Sequence, residues 1–215
     1  MKCLIVAGGN IKESFGLPYM EEHSFDYRIA VDRGLDFFYQ VNETPDCIVG
    51  DLDSANALAV EYYRGQNSVR LEKLNPMKNE TDTEHAIGLA IELGASEIVI
   101  LGGTGGRLDH FLGNVGILGI GLERGVVISL VDEYNRIRLI NKKTVISQKE
   151  QYGRYISLIP FFGEAEGVTL TGMKYPLING KLHEFHTLGI SNEIVEEYGI
   201  VDVKKGNLIL CESKE

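Results

Sequence analysis

Over the first 133 positions, short apolar runs recur with polar, helix-like segments between them. Lys2–Ala7, Tyr27–Val31, Asp46–Val49, Ser96–Leu101 and Val126–Val131 have the length and apolarity of buried strands, and a further strand is expected near Ser68 to Lys73. Between them lie stripes at helical spacing: Leu35, Phe38 and Val41; a segment from Ala55 to Arg64; Ala86, Ile87, Ala90 and Ile91; and Leu108, Phe111, Leu112, Val115 and Leu122. Asn10 to Glu22, which contains Phe15 and Pro18, reads as polar and irregular. Alternating strand and helix predicts an α/β domain over positions 1–133, with a mostly parallel, Rossmann-like sheet of about six strands flanked by helices. From about Asn135 the style changes. Thr144-Val145-Ile146, Tyr155–Ile159, Val168-Thr169-Leu170 and Leu208-Ile209-Leu210 are separated by Gly, Asn and Pro turns with no helical stripe, which predicts a C-terminal antiparallel β-sandwich domain over 134–215. A domain so small gains from burial against a second copy, so a dimer is expected.

Composition narrows the function. The 215 residues are 44% hydrophobic and 24% charged, ordinary values for a globular chain. A formal net charge of −10 argues against a surface built for nucleic acid or anionic lipid, so an anionic substrate must be met by local cations. No apolar run is long enough to span a bilayer, and Met1-Lys2-Cys3-Leu4 enters a strand directly, which predicts a cytoplasmic chain. Cys3, Cys47 and Cys211 are odd in number, far apart and set in apolar runs, so they read as reduced core residues.

Candidate chemistry centres on Gly50-Asp51-Leu52-Asp53-Ser54, directly after the third strand run. If the segment stays extended, Asp51 and Asp53 leave on one face and Leu52 turns to the core. Two like charges about 4 Å apart repel by roughly 4 kcal/mol at an effective dielectric near 20, so a cation between them is the natural complement. Ser54 stands where the cap of the following helix is expected. Further on, Thr81 and Glu84 have capping-box spacing, which puts Asp82 in a helix's first turn, with Lys78 just before it. Gly102-Gly103-Thr104-Gly105-Gly106-Arg107 joins a strand to a helix, where backbone N–H groups can approach an anion. On that helix Arg107, His110 and Asn114 share a polar stripe, and Gly113, Gly116 and Gly119 make sense if they allow close packing. Neither a dinucleotide fingerprint after Gly8-Gly9-Asn10 nor a G-x-x-x-x-G-K-[ST] phosphate loop occurs. Asp32, Asp51, Asp53, Asp82 and Arg107 all fall at a strand's carboxyl end or a helix's first turn, the edge where open α/β sheets bind ligands.

With these motifs in order, the chain resembles the thiamine pyrophosphokinase family nearly end to end. The carrying residues are Asp32-Arg33-Gly34, Gly50–Ser54, Lys78 with Thr81-Asp82, Gly105-Gly106-Arg107-Leu108-Asp109-His110 with Asn114, Gly172–Leu177, and Gly189-Ile190-Ser191-Asn192. The resemblance implies an N-terminal catalytic domain binding ATP and Mg2+, a β-sandwich that helps bind thiamine, and sites completed across a homodimer. It implies Mg2+ on Asp51, Asp53 and Asp82, and thiamine near Ser191 and Asn192. Lys78, Arg107 and the glycine-loop amides around Gly103, Gly105 and Gly106 are then the candidates for phosphate charge; Asp32, Thr81, Asp109, His110 and Asn114 complete the nucleotide region, with Asp82 or Asp109 open as a general base. The implied reaction moves pyrophosphate from ATP to the thiamine hydroxyl and releases AMP. Another pyrophosphoryl or nucleotidyl transferase and a non-catalytic nucleotide sensor are the alternatives. Two departures stand out: Arg33 occupies a position that is commonly glycine, and the chain has no tryptophan, so a Tyr or Phe would supply any aromatic partner of the thiamine ring.

Overall fold

The chain alternates strand and helix as β1 (Lys2–Val6), α1 (Glu13–Glu22), β2 (Tyr27–Val31), α2 (Gly34–Gln40), β3 (Cys47–Gly50), α3 (Ala57–Arg64), β4 (Arg70–Lys73), α4 (Asp82–Glu92), β5 (Glu97–Leu101), α5 (Leu108–Ile117), α6 (Gly119–Arg124) and β6 (Val127–Val131). The structure, a computed structural model, describes residues 1–74 and 80–215 and divides into two units, Met1–Glu133 and Tyr134–Glu215.

In the first unit the strands run parallel in the order β4-β3-β2-β1-β5-β6. The central strands are buried on both faces, with Leu4, Ile5, Ile29, Ile98, Ile100 and Leu101 at 0% exposure, which is why their runs are continuously apolar rather than alternating. The chain builds outward from β1 to β4, then returns through α4, which lies against β1, β2 and β3, to add β5 on the other side of β1. The direction of winding therefore reverses between β1 and β5, and the loops leaving those two strands lie at the sheet's carboxyl edge, the edge at which open α/β sheets bind ligands.

Three local expectations are corrected. Asn10–Glu22 is not irregular throughout: α1 forms across Pro18, without a side-chain cap at Lys12. It is held by burial of Tyr19 and Met20 and by Gly16 lying so close to the Phe37 ring that a Cβ there would stand 2.9 Å from Cε2, a tertiary contact with no local signal. The helix opening after the second acidic motif residue begins at Ala57, and its cap is Asn56, whose side chain accepts a hydrogen bond from Leu58 N at 2.9 Å; Ser54 stays in the preceding loop. The helix expected from Leu108 to Leu122 breaks at Leu118 into α5 and α6. Of its apolar stripe, Leu108 and Leu112 are 75% and 67% exposed. A Cβ at Gly113, Gly116 or Gly119 would meet no atom of the described residues within 4 Å, so the close packing expected there is absent among them.

The second unit contains β7 (Asn135–Ile140), β8 (Thr144–Ser147), β9 (Tyr155–Thr171), β10 (Leu177–Leu182), β11 (Asn192–Glu193), β12 (Tyr198–Asp202) and β13 (Lys205–Ser213), all paired antiparallel. Strand β9 organises it. Its first half pairs with β13 and β11 and its second half with β10 and β12, with positive φ at Phe162 and Gly163 between the halves. Ile156 and Leu158 from one half and Ala165, Val168 and Leu170 from the other close over a single core with Ile146, Leu208 and Leu210, the sandwich character that the turn-separated strands predict. Fully buried Glu212 accepts from Arg136 at 2.9 and 2.7 Å, from Arg138 at 3.2 Å and from Tyr152 N at 3.0 Å, so this buried charge is compensated on all sides.

The three cysteines are free, and burial pushes the Cys3 and Cys47 thiols up to about 12 and about 11, which keeps them un-ionised. No helix among the described residues is long and apolar enough to cross a membrane.

Candidate active site

Two glycine loops meet at the carboxyl edge where the winding reverses. Ala7 N donates to Leu101 O at 2.8 Å and Gly9 N to Gly102 O at 3.0 Å, which continues the β1–β5 pairing past the strand ends. A Cβ on Gly9 would overlap Gly102 O and stand 3.0 Å from Gly105 O; one on Gly102, whose φ is +71°, would stand 2.5 Å from Ala7 O. Glycine at both positions is what lets the two backbones meet. Gly8-Gly9-Asn10 thus belongs to the same edge as Gly102–Gly106, although sequence reasoning placed only the second loop in the site. The signal was the doubled glycine after each strand; that β1 and β5 are neighbours was not readable.

On the adjacent strands stand the acids. Asp32 follows β2 with φ +47°, and its carboxylate packs against the α-carbon of Gly50 at the end of β3. Asp51 and Asp53 come next, by a different route from the extended alternation expected. The strand ends at Gly50, where φ is +136°, and Leu52 turns left-handed at φ +64°, a conformation that costs a non-glycine residue on the order of 1 kcal/mol. That turn brings the acids together, with Asp53 N donating to Asp51 Oδ1 at 3.1 Å. Downstream, Asn56 N donates to Asp36 Oδ1 at 2.7 Å, tying the far end of the loop to α2.

Asp82 opens α4 as the capping spacing predicts, with Thr81 Oγ1 accepting from Glu84 N at 3.2 Å. The Asp53 carboxyl is raised above the usual carboxylate range, chiefly by the charge of Asp51, then by their hydrogen bond, by desolvation and by the charge of Asp82. The Asp53 carboxyl therefore senses acids from two separate chain segments at this edge. Among the described residues no three acids, histidines or cysteines stand close enough to ligate one ion as they are. An all-oxygen, mutually repelling set nevertheless fits a hard divalent cation that keeps part of its water shell. Lys78 lies outside the described residues.

Beyond the second glycine loop, Arg107 and Asp109 form a bidentate pair at 3.1 and 2.6 Å, with side chains 73% and 63% exposed. The Arg107 guanidinium draws the Asp109 carboxyl down to about 2, which makes it a weak proton acceptor while that pair holds. Its Oδ1 also accepts from His110 N at 2.9 Å. His110 is exposed, and Asn114 faces the glycine loop as its place on the polar stripe predicts: its Nδ2 donates to Gly103 O at 2.9 Å, so the amide braces the loop.

In the second unit, Ser191 is exposed with φ +58°, and its N donates to Ser157 Oγ at 3.0 Å. Asn192 is 5% exposed and its side chain is engaged at both ends: Oδ1 accepts from Tyr175 N at 3.0 Å and Glu193 N at 2.9 Å, and Nδ2 donates to Tyr175 O at 2.8 Å. The amide expected among the ligand-binding groups is thus a backbone clamp that presents Tyr175, itself 59% exposed with the Lys174 ammonium 5.5 Å from its ring centroid.

Comparison with known proteins matches both units. Residues 20–128 match the family described as thiamin pyrophosphokinase, catalytic domain, and residues 143–208 the thiamin pyrophosphokinase, vitamin B1 binding domain. The chain is 36% identical over 98% of its length to thiamine pyrophosphokinase of Bacillus subtilis, of which it covers 98%. The crystal structure of thiamine pyrophosphokinase from Bacillus subtilis superimposes with a TM-score of 0.89 at 34% identity over 100% of both chains. That of thiamin pyrophosphokinase from Geobacillus thermodenitrificans does so with a TM-score of 0.86 at 30% identity, covering 100% of this chain and 98% of the other.

Proposed function

The chain belongs to the thiamine pyrophosphokinase family, and from that premise we propose that it transfers pyrophosphate from ATP to the hydroxyl of thiamine with Mg2+, giving thiamine diphosphate and AMP. The thiamine hydroxyl oxygen bonds to the β-phosphorus, the bond from that phosphorus to the bridging oxygen breaks, AMP leaves with that oxygen, and the hydroxyl proton is released. The observation that supports the reading best is the set of acids at the carboxyl edge, where the raised Asp53 carboxyl registers both Asp51 and Asp82. Asp51, Asp53 and Asp82 are the proposed magnesium ligands. When bound, the ion supplies charge neutralisation on the phosphate oxygens.

The chain's own groups do the rest. The amides of Gly103, Gly105 and Gly106 are the proposed phosphate donors; a Cβ at Gly106 would meet no described atom within 4 Å, so the loop is open there, while Asn114 braces it at Gly103. Arg107, with Lys78, supplies positive charge; the Arg107–Asp109 pair holds the guanidinium outward until a phosphate competes for it. Asp32, Thr81 and His110 border the same edge. Around Ser191 and Asn192, Tyr175 is the proposed aromatic partner of the thiamine ring. A homodimer and a cytoplasmic location complete the reading.

The test is incubation with ATP, Mg2+ and thiamine, with AMP and thiamine diphosphate measured together, and light scattering for oligomeric state. Equimolar formation of both products is expected. AMP formed only with another acceptor, or tight ATP binding without turnover, would replace this reading with another transferase or with a nucleotide sensor. A monomer in solution would remove the dimer.

A further inference from the structure

Between the two acids at the end of β3 sits a residue whose conformation and surroundings do not match an ordinary loop. Leu52 takes the left-handed φ of +64°, which disfavours a branched aliphatic side chain, where glycine or asparagine would be at ease. Its side chain borders a largely apolar hollow of about 60 Å³, also lined by Leu35, Ile48, Val60, Tyr63 and Val69. The walls are firm: Leu35, Ile48 and Tyr63 are at most 3% exposed, and Tyr63 Oη donates to Glu43 O at 2.5 Å. A leucine that accepts backbone strain to reach an apolar recess gains something from that recess. Either neighbour of Leu52 is an acid, and the pair closes only through the turn that Leu52 makes, with Asp53 N on Asp51 Oδ1.

We infer that Leu52 is a positioning residue: a hydrophobic peg at the rim of the hollow between β3, β4, α2 and α3, one of its walls, that holds the carboxylates of Asp51 and Asp53 on one side of the loop for a divalent cation. The inference deepens the proposed function and rests on its assignment of those two acids to the cation. The peg sets the loop's geometry before the ion arrives, and the ion's affinity reports how well that geometry is kept.

The experiment uses the full chain without nucleotide, with Mn2+ as the probe followed by electron paramagnetic resonance, and with 15N order parameters for residues 51–53 measured before metal is added. Leu52→Ala and Leu52→Gly are expected to weaken Mn2+ binding by roughly ten- to a hundredfold, and to lower the order parameters from about 0.85 to below about 0.6. Leu52→Met, which keeps a flexible apolar side chain against the hollow, is expected to keep both. The glycine variant is decisive because it relieves the left-handed strain while removing the peg. Unchanged order parameters and Mn2+ affinity in Leu52→Gly would overturn the inference, as would a lower melting temperature with neither of those readouts altered. If the protein binds no Mn2+ that Asp53→Asn weakens, the metal assignment falls instead, and the order parameters alone still decide whether Leu52 holds the loop.

Discussion

The carboxylate of Asp32 lies against the α-carbon of Gly50, so closely that a Cβ there would overlap Oδ1 and stand 3.0 Å from Cγ. The contact joins the carboxyl ends of β2 and β3 and sets where the acidic loop departs. Two penalties follow for any side chain at this position: the clash, and a φ of +136° that only glycine adopts easily. Gly50→Ala is expected to lose about 1–3 kcal/mol of stability in urea unfolding, and to lower turnover in the folded fraction by displacing Asp51. Gly94→Ala, at φ +90° but with no atom of the described residues within 4 Å of a Cβ, separates strain alone from strain plus clash and is expected to cost less.

Asp53 carries the sign of a functional site. Its folded carboxyl titrates above the ordinary value because Asp51, and further off Asp82, repel its charge. Ionising it therefore costs more in the folded than in the unfolded protein, so without divalent ions stability declines as pH rises from the model-compound value of 3.8 through the raised folded value. Asp53→Asn is expected to melt no lower than wild type at neutral pH without metal, to lose the stabilisation that Mg2+ confers on wild type, and to form AMP at least about a hundredfold more slowly. A variant that melts lower and turns over normally would show the residue to be structural.

The Arg107–Asp109 pair has the opposite sign. With the Asp109 carboxyl drawn down to about 2 by the guanidinium, its contribution to the folded state is present above the usual aspartate range and is lost as pH falls toward about 2. Because both side chains are exposed, the effect on global stability is small. It is best read at the residue itself. A carbon-13 titration should place the Asp109 midpoint near 2, and Arg107→Gln should return it toward about 3.9. ATP should shift it upward too, if phosphate draws Arg107 away.

Asn192 and Tyr175 divide stability from recognition. Asn192→Ala removes the partners of Tyr175 N, Tyr175 O and Glu193 N at a nearly buried site, for an expected loss of roughly 2–4 kcal/mol. Tyr175→Ala deletes a half-exposed ring and should leave the melting temperature nearly unchanged while raising KM for thiamine and sparing KM for ATP. Equal effects on both KM values would detach Tyr175 from thiamine.

The linear sequence determined the two-part plan. Five apolar runs and one mixed one, separated by helical stripes, bury their hydrophobic faces as a covered parallel sheet, and the short turn-separated runs that follow do so as an antiparallel fold. It also determined the local chemistry of Thr81 and Asp82, because a cap is satisfied within three residues. Tertiary structure decided what depends on neighbours distant in sequence. Strand order made β1 and β5 adjacent and so gave Gly9 its role opposite Gly102. The left-handed turn at Leu52, not strand alternation, brought Asp51 to Asp53, since an apolar hollow built by other elements was there for the leucine to border. Asn114 and Asn192, polar residues that a sequence assigns to ligands by default, turned inward because burying a glycine-loop carbonyl or a tyrosine's backbone without a partner costs more than leaving an amide at the surface gains.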